Sequence, residues 1–492
     1  MKKYIYILLS AVMAASCSNL DGLNTDTKSP TDVPTGSLVA NATKNLFDQM
    51  TTPNVNSNAF RFFAQYWTET TYTDEANYNI KNRDVPGNHW GSLYRDVLED
   101  LDAAYKKVES STDATLSDAQ KNNQLATLEI LKVYTYHILV DTFGYIPYTE
   151  SLDFTQSSPA YDSGSDVYAD LITRLDAAIS NISVSAGTFN DGYDIIYNGD
   201  ASKWLKFANS LKLRLALRYA NTDGAKAKQI AEEAINAGVF TSSEDNAQLV
   251  YLSSPPNTNP IWENIDPTYS GRKDFVGTNT IIDIMNNLND PRRQVYFRQN
   301  MGDDTYVGGP YAKNGNTWSN SSVIGDVFFE PTFPANLLTY TETEFNLAEA
   351  AARGYNVSGS VASHYNAGIT ASINYWYNLA GMDASGVATA YLANTDVAYA
   401  TASGTWQEKI ATQKWLALYD QAFEGWSTYR KFGFPAMHIS GETELPTPRR
   451  YTYPQEEPTL NGANYEAASS ALGGDELSSR IFWDTTDENI IK

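Results

Sequence analysis

The chain has 492 residues, past the ~250–300 at which one hydrophobic core stops growing, so it folds as several domains or as an array of small repeating cores. Hydrophobic residues make up 42% and charged residues 19%, a balance that excludes general disorder. A formal net charge of −23 argues against nucleic acid or an anionic membrane surface as the main ligand, and a single cysteine excludes intramolecular disulfides and thiolate zinc clusters.

The chain opens Met1-Lys2-Lys3, continues with an apolar run from Tyr4 to Ala15, and reaches Ser16-Cys17. A basic start, a short apolar stretch and small residues before a break describe an export signal. The unique Cys17 directly after Ala14-Ala15-Ser16 resembles the lipobox of bacterial lipoproteins, in which cleavage leaves an acylated first Cys. Residues 1–16 are therefore expected as a signal peptide and 17–36 as the lipidated Cys17 with a polar tether broken by Gly22, Pro30, Pro34 and Gly36. No later stretch is apolar enough to span a bilayer, because Glu129, Lys132 and His137 interrupt the best candidate.

From residue 37 onward the pattern is mostly helical. Trp90, Leu93, Tyr94, Val97, Leu101 and Tyr105 keep a 3.6-residue spacing that predicts a helix to Val108. Further helices are predicted at about 125–140, around Val167 to Ile179 opened by Ser165-Asp166, from Trp204 to Leu215, and over 225–237 with a stop at Gly238. Thr341-Glu342-Thr343-Glu344 reads as a capping box with Tyr340 and Phe345 as its hydrophobic staple and Gly354 as the C-terminal stop. Helices at about 361–379 and 406–424 follow. Helices in pairs, without alternating strands, exclude a βαβ sheet. Their small and large apolar positions resemble degenerate tetratricopeptide units, so the fold class expected is all-α dominated, a solenoid of helical pairs.

Between about 239 and 334 the texture changes. Pro255-Pro256, Asn259-Pro260, Asp266-Pro267, Asp290-Pro291 and Gly308-Gly309-Pro310 break the chain, with Trp262, Tyr269, Tyr306, Tyr311 and Trp318 among the breaks. Similar stretches run over 67–88 and 432–465. Long Pro/Gly/aromatic-rich loops on a rigid scaffold are where binding resides.

Catalytic motifs are missing from the sequence: no His-Glu-x-x-His, no Gly-x-Ser-x-Gly, no phosphate-cradling glycine loop and no Gly-x-Gly-x-x-Gly. The four histidines lack ligand spacing, and His137 on an apolar helix reads as core. Acidic pairs such as Asp74-Glu75 and Asp303-Asp304 are too numerous for adjacency to mark a glycosidase. Lys203, Lys206, Lys212, Arg214 and Arg218 read as a solvent-facing helix with buried stems. No enzyme activity and no cofactor are expected, and no metal ligands are assigned.

Ile410-Ala411-Thr412-Gln413-Lys414-Trp415-Leu416-Ala417-Leu418, then Phe423-Glu424-Gly425-Trp426 and Tyr429-Arg430-Lys431, resembles a signature of the SusD/RagB lipoproteins, and more narrowly of their second SusD-like subfamily. Tyr340–Ala352 resembles that family's Glu-x-x-x-Leu-x-Ala-Glu-Ala helix. Asp141–Tyr148 is similar to its segment ending in Tyr-Gly-x-Val-Pro, and Trp90-x-x-Leu93-Tyr94 and Asn289-Asp290-Pro291-Arg292 fit too. The Glu-Arg pair common in the main branch is missing near Thr412-Gln413. The resemblance implies a SusD-like domain over 37–492 in a surface-exposed, lipid-anchored outer-membrane protein. Such a protein sits as the lid of a SusC-type TonB-dependent barrel and captures glycan, or peptide as in the RagB branch; a lipid-anchored glycan hydrolase and a pure assembly scaffold are the remaining alternatives. Glu344, Glu349, Glu424 and Arg430 carry the match from helices, which suits a structural role.

The ligand site is expected in the loops. Trp67 and Tyr72 from the first, with Trp262, Tyr269, Arg272, Asp274 and Trp318 from the 239–334 region, would supply aromatic faces for sugar rings and polar groups for hydroxyls. Trp90, Trp204, Trp376 and Trp415 are assigned to the core.

Overall fold

The computed structural model describes residues 33–491 apart from Phe154 and Asp191; the signal segment, Cys17 and most of the tether lie outside the described residues. Helix α1 (Thr35–Thr51) begins two residues inside the segment expected as tether. Helix α2 (Val85–Gly91) starts behind Asp84, whose carboxylate accepts from the Gly87 amide. It passes through a π-helical turn (Ser92–Leu98) into α3 (Glu99–Glu109), so the apolar stripe from Trp90 follows one path with a local bulge.

Side-chain caps set most of the later starts, because the first amides of a helix have no partner within it. Ser117 caps α4 (Asp118–Phe143), Ser163 caps α5 (Gly164–Asn181), Asp200 caps α6 (Ala201–Arg218) and Asp223 caps α7 (Gly224–Ala237). After the loop-rich region come α8 (Pro260–Ile265) and α9 (Asn279–Asn287), then α10 (Tyr340–Ala352), α11 (Val361–Leu379), α12 (Trp406–Ala417) and α13 (Ala422–Phe432). Helices α4 with α5, α6 with α7, α10 with α11 and α12 with α13 pack as pairs. The fold is therefore dominated by helices with tetratricopeptide-like pairing. Strands are short: β1 (Trp67–Glu69), β2 (Ala247–Leu249), β3 (Phe275–Gly277) and β4 (Ala335–Leu338) form the antiparallel pairs β1–β3 and β2–β4. No helix among the described residues is long and apolar enough to cross a membrane.

Three sequence expectations need correction. The cap of α10 is Thr339, whose hydroxyl accepts from the Glu342 amide, two residues before the expected Thr341. Glu342 does not reach back to close a box because Arg214 holds its carboxylate at 2.6 Å. The single helix expected over 406–424 is two, separated at Leu418–Gln421, where buried Asp420 bonds to Asn336 at 2.7 Å. The basic helix is not solvent-facing throughout. Lys212, Arg214 and Arg218 are buried: Arg214 pairs with Glu342, Arg218 with Asp141 and Glu424, and Lys212 with Asp176 and Glu233.

The family-like residues are tied into this interior. Glu344 meets His364 Nδ1 at 2.7 Å, Glu349 meets Lys431 Nζ at 2.6 Å, and Arg430 donates to the Asp141 and Arg449 carbonyls. Trp204, Trp376 and Trp415 are buried as expected, whereas Trp90 is half-buried with its ring edge-on to Phe143. His137 is buried, and burial pulls its pKa down to about 4.

Candidate functional site

The three loop-rich stretches meet. Strand β1 pairs with β3 in the register Trp67↔Gly277, Thr68↔Val276, Glu69↔Phe275, and the Thr70 amide extends the ladder to the Asp274 carbonyl at 2.8 Å. Thr68 Oγ1 accepts from the Ala312 amide, and Asn77 reaches both the Ala312 carbonyl and the Glu442 amide. Main-chain and buried amide bonds of this kind fix loops that have no regular structure of their own.

Beside β1–β3 lies a cavity of about 240 Å³. Tyr72, Arg83, Asn264, Ser270, Arg272 and Asp274 are among its walls, with Glu69 also facing it. Tyr72 is 67% exposed, and its backbone sits at φ +57°, a left-handed conformation uncommon for a bulky residue and characteristic of sites where the surroundings impose it. Arg272 Nε donates to Asp274 Oδ2 at 2.6 Å, and its guanidinium carbon lies 5.8 Å from the centre of the Tyr72 ring. The cavity thus presents an open aromatic face beside a fixed donor–acceptor pair, an arrangement suited to a sugar ring and its hydroxyls.

The sequence-predicted residues divide. Tyr72, Arg272 and Asp274 come together in this cavity. Trp262 and Tyr269 pack edge-to-face at 4.5 Å on the segment that supplies Asn264 and Ser270; Tyr269 is exposed and Trp262, half-buried, lies on the short helix α8. Trp318 belongs to another surface. Its Nε1 donates to the Phe275 carbonyl, Lys273 Nζ lies 5.1 Å from its ring, and Phe329 packs edge-on. Neither Lys273 nor Trp318 is among the walls of the cavity that Arg272 and Asp274 line. Trp67, expected at the ligand surface, is fully buried: Arg61 stacks on it at 4.5 Å and its Nε1 donates to Tyr419 Oη. Trp67 is a packing residue because β1 runs inward before the chain turns out at Tyr72.

Sequence reasoning missed Glu69, Glu75 and Arg83. Glu69 and Glu75 are buried, and Glu69 accepts from the Ala76 amide at 3.0 Å. Arg83 Nε stands 2.7 Å from Glu75 Oε1. Burial pushes the Glu69 carboxyl up to about 9 despite the Ala76 amide. Burial raises Glu75 too, opposed by the Arg83 guanidinium beside it. The usable signal was an acidic residue two places after a tryptophan in a short strand. Among the described residues no His/Cys/Asp/Glu group is arranged to hold a metal. A larger cavity of about 560 Å³ opens elsewhere, beside Arg298, Asp326, Phe333 and Met382, and contains none of the predicted residues.

The geometry can be set against known proteins. No match was found among curated protein sequences. Solved structures do match: a chitin-binding SusD homologue from Flavobacterium johnsoniae is 27% identical with a TM-score of 0.77, covering 92% of this chain and 99% of its own. A SusD homologue from Bacteroides uniformis ATCC 8492 is 25% identical with a TM-score of 0.77, covering 92% and 100%. A SusD homologue from Bacteroides ovatus ATCC 8483 is 26% identical with a TM-score of 0.74, covering 92% and 99%. The model of the SusD-like_2 family, described as starch-binding and associating with the outer membrane, matches residues 27–454, and the chain belongs to that family.

Proposed function

We propose that this protein captures oligosaccharide at the outer-membrane surface, held there by acylated Cys17, and delivers it to a SusC-type TonB-dependent barrel for which it serves as the lid. The observation that carries the reading is the Tyr72–Arg272–Asp274 cavity, an open aromatic face beside an oriented polar pair. Solved relatives described as chitin-binding make chito-oligosaccharides the first ligands to try, and the family's description adds malto-oligosaccharides. Binding without turnover suits the cavity. Of the carboxylates lining the cavity, Asp274 is held by Arg272 at 2.6 Å and Glu69 accepts from the Ala76 amide. Calorimetry with chito- and malto-oligosaccharides, with peptides as competitors, tests the ligand class. Sugar binding that peptide does not displace supports the reading; peptide binding alone replaces it with the RagB-type alternative, and sugar turnover replaces it with a hydrolase. Copurification of a large barrel in mild detergent tests the lid role, which a solitary native protein would refute.

A further inference from the structure

The Tyr72 cavity takes its polar pair from an arginine held through Nε by an aspartate, and the same arrangement occurs a second time. Arg298 Nε donates to Asp326 Oδ1 at 2.5 Å, and the guanidinium carbon lies 4.0 Å from the centre of the Phe329 ring. Local backbone fixes the pair. The Arg298 amide donates to the Val323 carbonyl at 2.8 Å, and Phe297 bridges to Ile324. Gly325 then lets the Asp326 segment close on its neighbour, since a Cβ there would stand 1.9 Å from the Val295 carbonyl oxygen. Arg298 and Asp326 both line the cavity of about 560 Å³, a volume inside the ~300–1,000 Å³ typical of small-molecule sites. We propose that this cavity is a second saccharide site, taking a short uncharged oligosaccharide independently of the Tyr72 cavity.

The walls favour that ligand class over others. Asp326 balances Arg298 and Glu330 adds a further carboxylate, so an anionic ligand is disfavoured. Gln294 gives its amide nitrogen to Tyr377 Oη; Gln299 gives its own to Tyr306 Oη at 2.9 Å and accepts from the Asp304 amide. Both amide planes are thereby held, with lone pairs left for hydroxyl donors. The Arg298 Nη atoms form no hydrogen bond among the described residues, so they stand ready as donors. An acyl chain would strip water from Glu330 and the two glutamines without replacing their hydrogen bonds, whereas sugar hydroxyls replace them. Phe333, Leu379 and Met382 supply apolar surface for the C–H face of a sugar ring. Trp318 is a wall of neither cavity. It bonds to the Phe275 carbonyl in the first, and its ring lies 5.9 Å from the Arg298 guanidinium carbon in the second, so one side chain separates the two sites.

The second site rests on the oligosaccharide reading. Calorimetry with N-acetylchitotriose and maltotriose compares the wild type, the double variant Tyr72→Ala/Arg272→Ala, and that double variant carrying Arg298→Ala or Asp326→Ala in addition. The double variant is expected to keep one binding site, and either added substitution is expected to weaken that residual binding about tenfold or more. The Asp326 side chain is 82% exposed, so its truncation spares the core, and matching melting temperatures verify that each variant is folded. A folded double variant that binds no sugar, beside a wild type that does, overturns the second site and leaves the oligosaccharide reading standing. Residual binding that neither added substitution weakens also overturns it. If the wild type binds neither sugar, the oligosaccharide reading fails and the second site falls with it.

Discussion

Arg218 on α6 places Nη2 at 2.8 and 2.9 Å from the two carboxylate oxygens of Glu424 on α13, a residue 206 positions later in the chain. Arg214, one turn earlier on α6, approaches the same carboxylate at 3.6 Å, and Asp141 takes the Arg218 Nε at 3.0 Å. Burial alone would raise the Glu424 carboxyl, but Arg214 and Arg218 hold it well below the usual carboxylate range. This charged knot joins α4, α6, α10 and α13 inside the solenoid, where hydrophobic faces would ordinarily meet.

Removing one partner of such a knot strands buried charge. Glu424→Ala is expected to lower stability by ~3–5 kcal/mol in urea denaturation. A loss below ~1 kcal/mol would mean the knot is more hydrated than its burial indicates.

Acid should destabilise the fold through its buried histidines. Burial lowers His89 to about 3 and His137 to about 4, while the unfolded chain titrates near its ordinary value of ~6.5. The unfolded state therefore binds more protons below that value, and stability falls as pH drops from ~6.5 toward the folded-state values. At about pH 5 each histidine is expected to have withdrawn about 2 kcal/mol relative to neutral pH. Urea midpoints at the two pH values check this. The drop should shrink in His89→Asn, and an undiminished drop would assign it to other groups.

Truncation separates recognition from packing. Tyr72→Ala and Arg272→Ala are expected to weaken oligosaccharide binding by ~1–3 kcal/mol while the melting temperature barely moves. Trp67→Ala and Trp204→Ala should instead cost ~3–5 kcal/mol of stability, since both rings are buried and Trp204 Nε1 bonds to Asp194 at 2.7 Å. Trp318→Ala, outside the walls of the cavity, should leave affinity within about threefold. Calorimetry paired with thermal melts distinguishes the three classes.

The anchor has its own test. Cys17→Ser is expected to move the protein from the washed membrane fraction to the soluble fraction, because no described helix offers a second attachment. Retention in membranes would refute lipidation at Cys17.

Much of the scaffold was legible because helix periodicity and caps are local. The stripe at Val167, Leu171 and Leu175, and the stops at Gly238 and Gly354, are short-range signals that the structure repeats. The ionic interior was not legible: Arg214 and Arg218 look solvent-facing until Glu342, Glu424 and Asp141 arrive from distant segments. The break at Leu418–Gln421 was hidden for a similar reason, as no glycine or proline marks it. In the site, Tyr72, Arg272 and Asp274 could be selected by residue type and loop texture. Trp67 could not be told from them, since five residues separate a buried ring from an exposed one. Glu69 and Glu75 were lost among 58 acidic residues.

The β1–β3 pairing also bears on when the protein becomes competent. Thr70 and Lys273, bonded at the mouth of the cavity, are 203 residues apart. Contacts between such distant residues must overcome a large loop-closure entropy before they contribute, and they form late in folding. A chain complete only through α7 has Tyr72 and Glu69 but no opposite wall. The cavity is incomplete until the 260–277 segment arrives and docks.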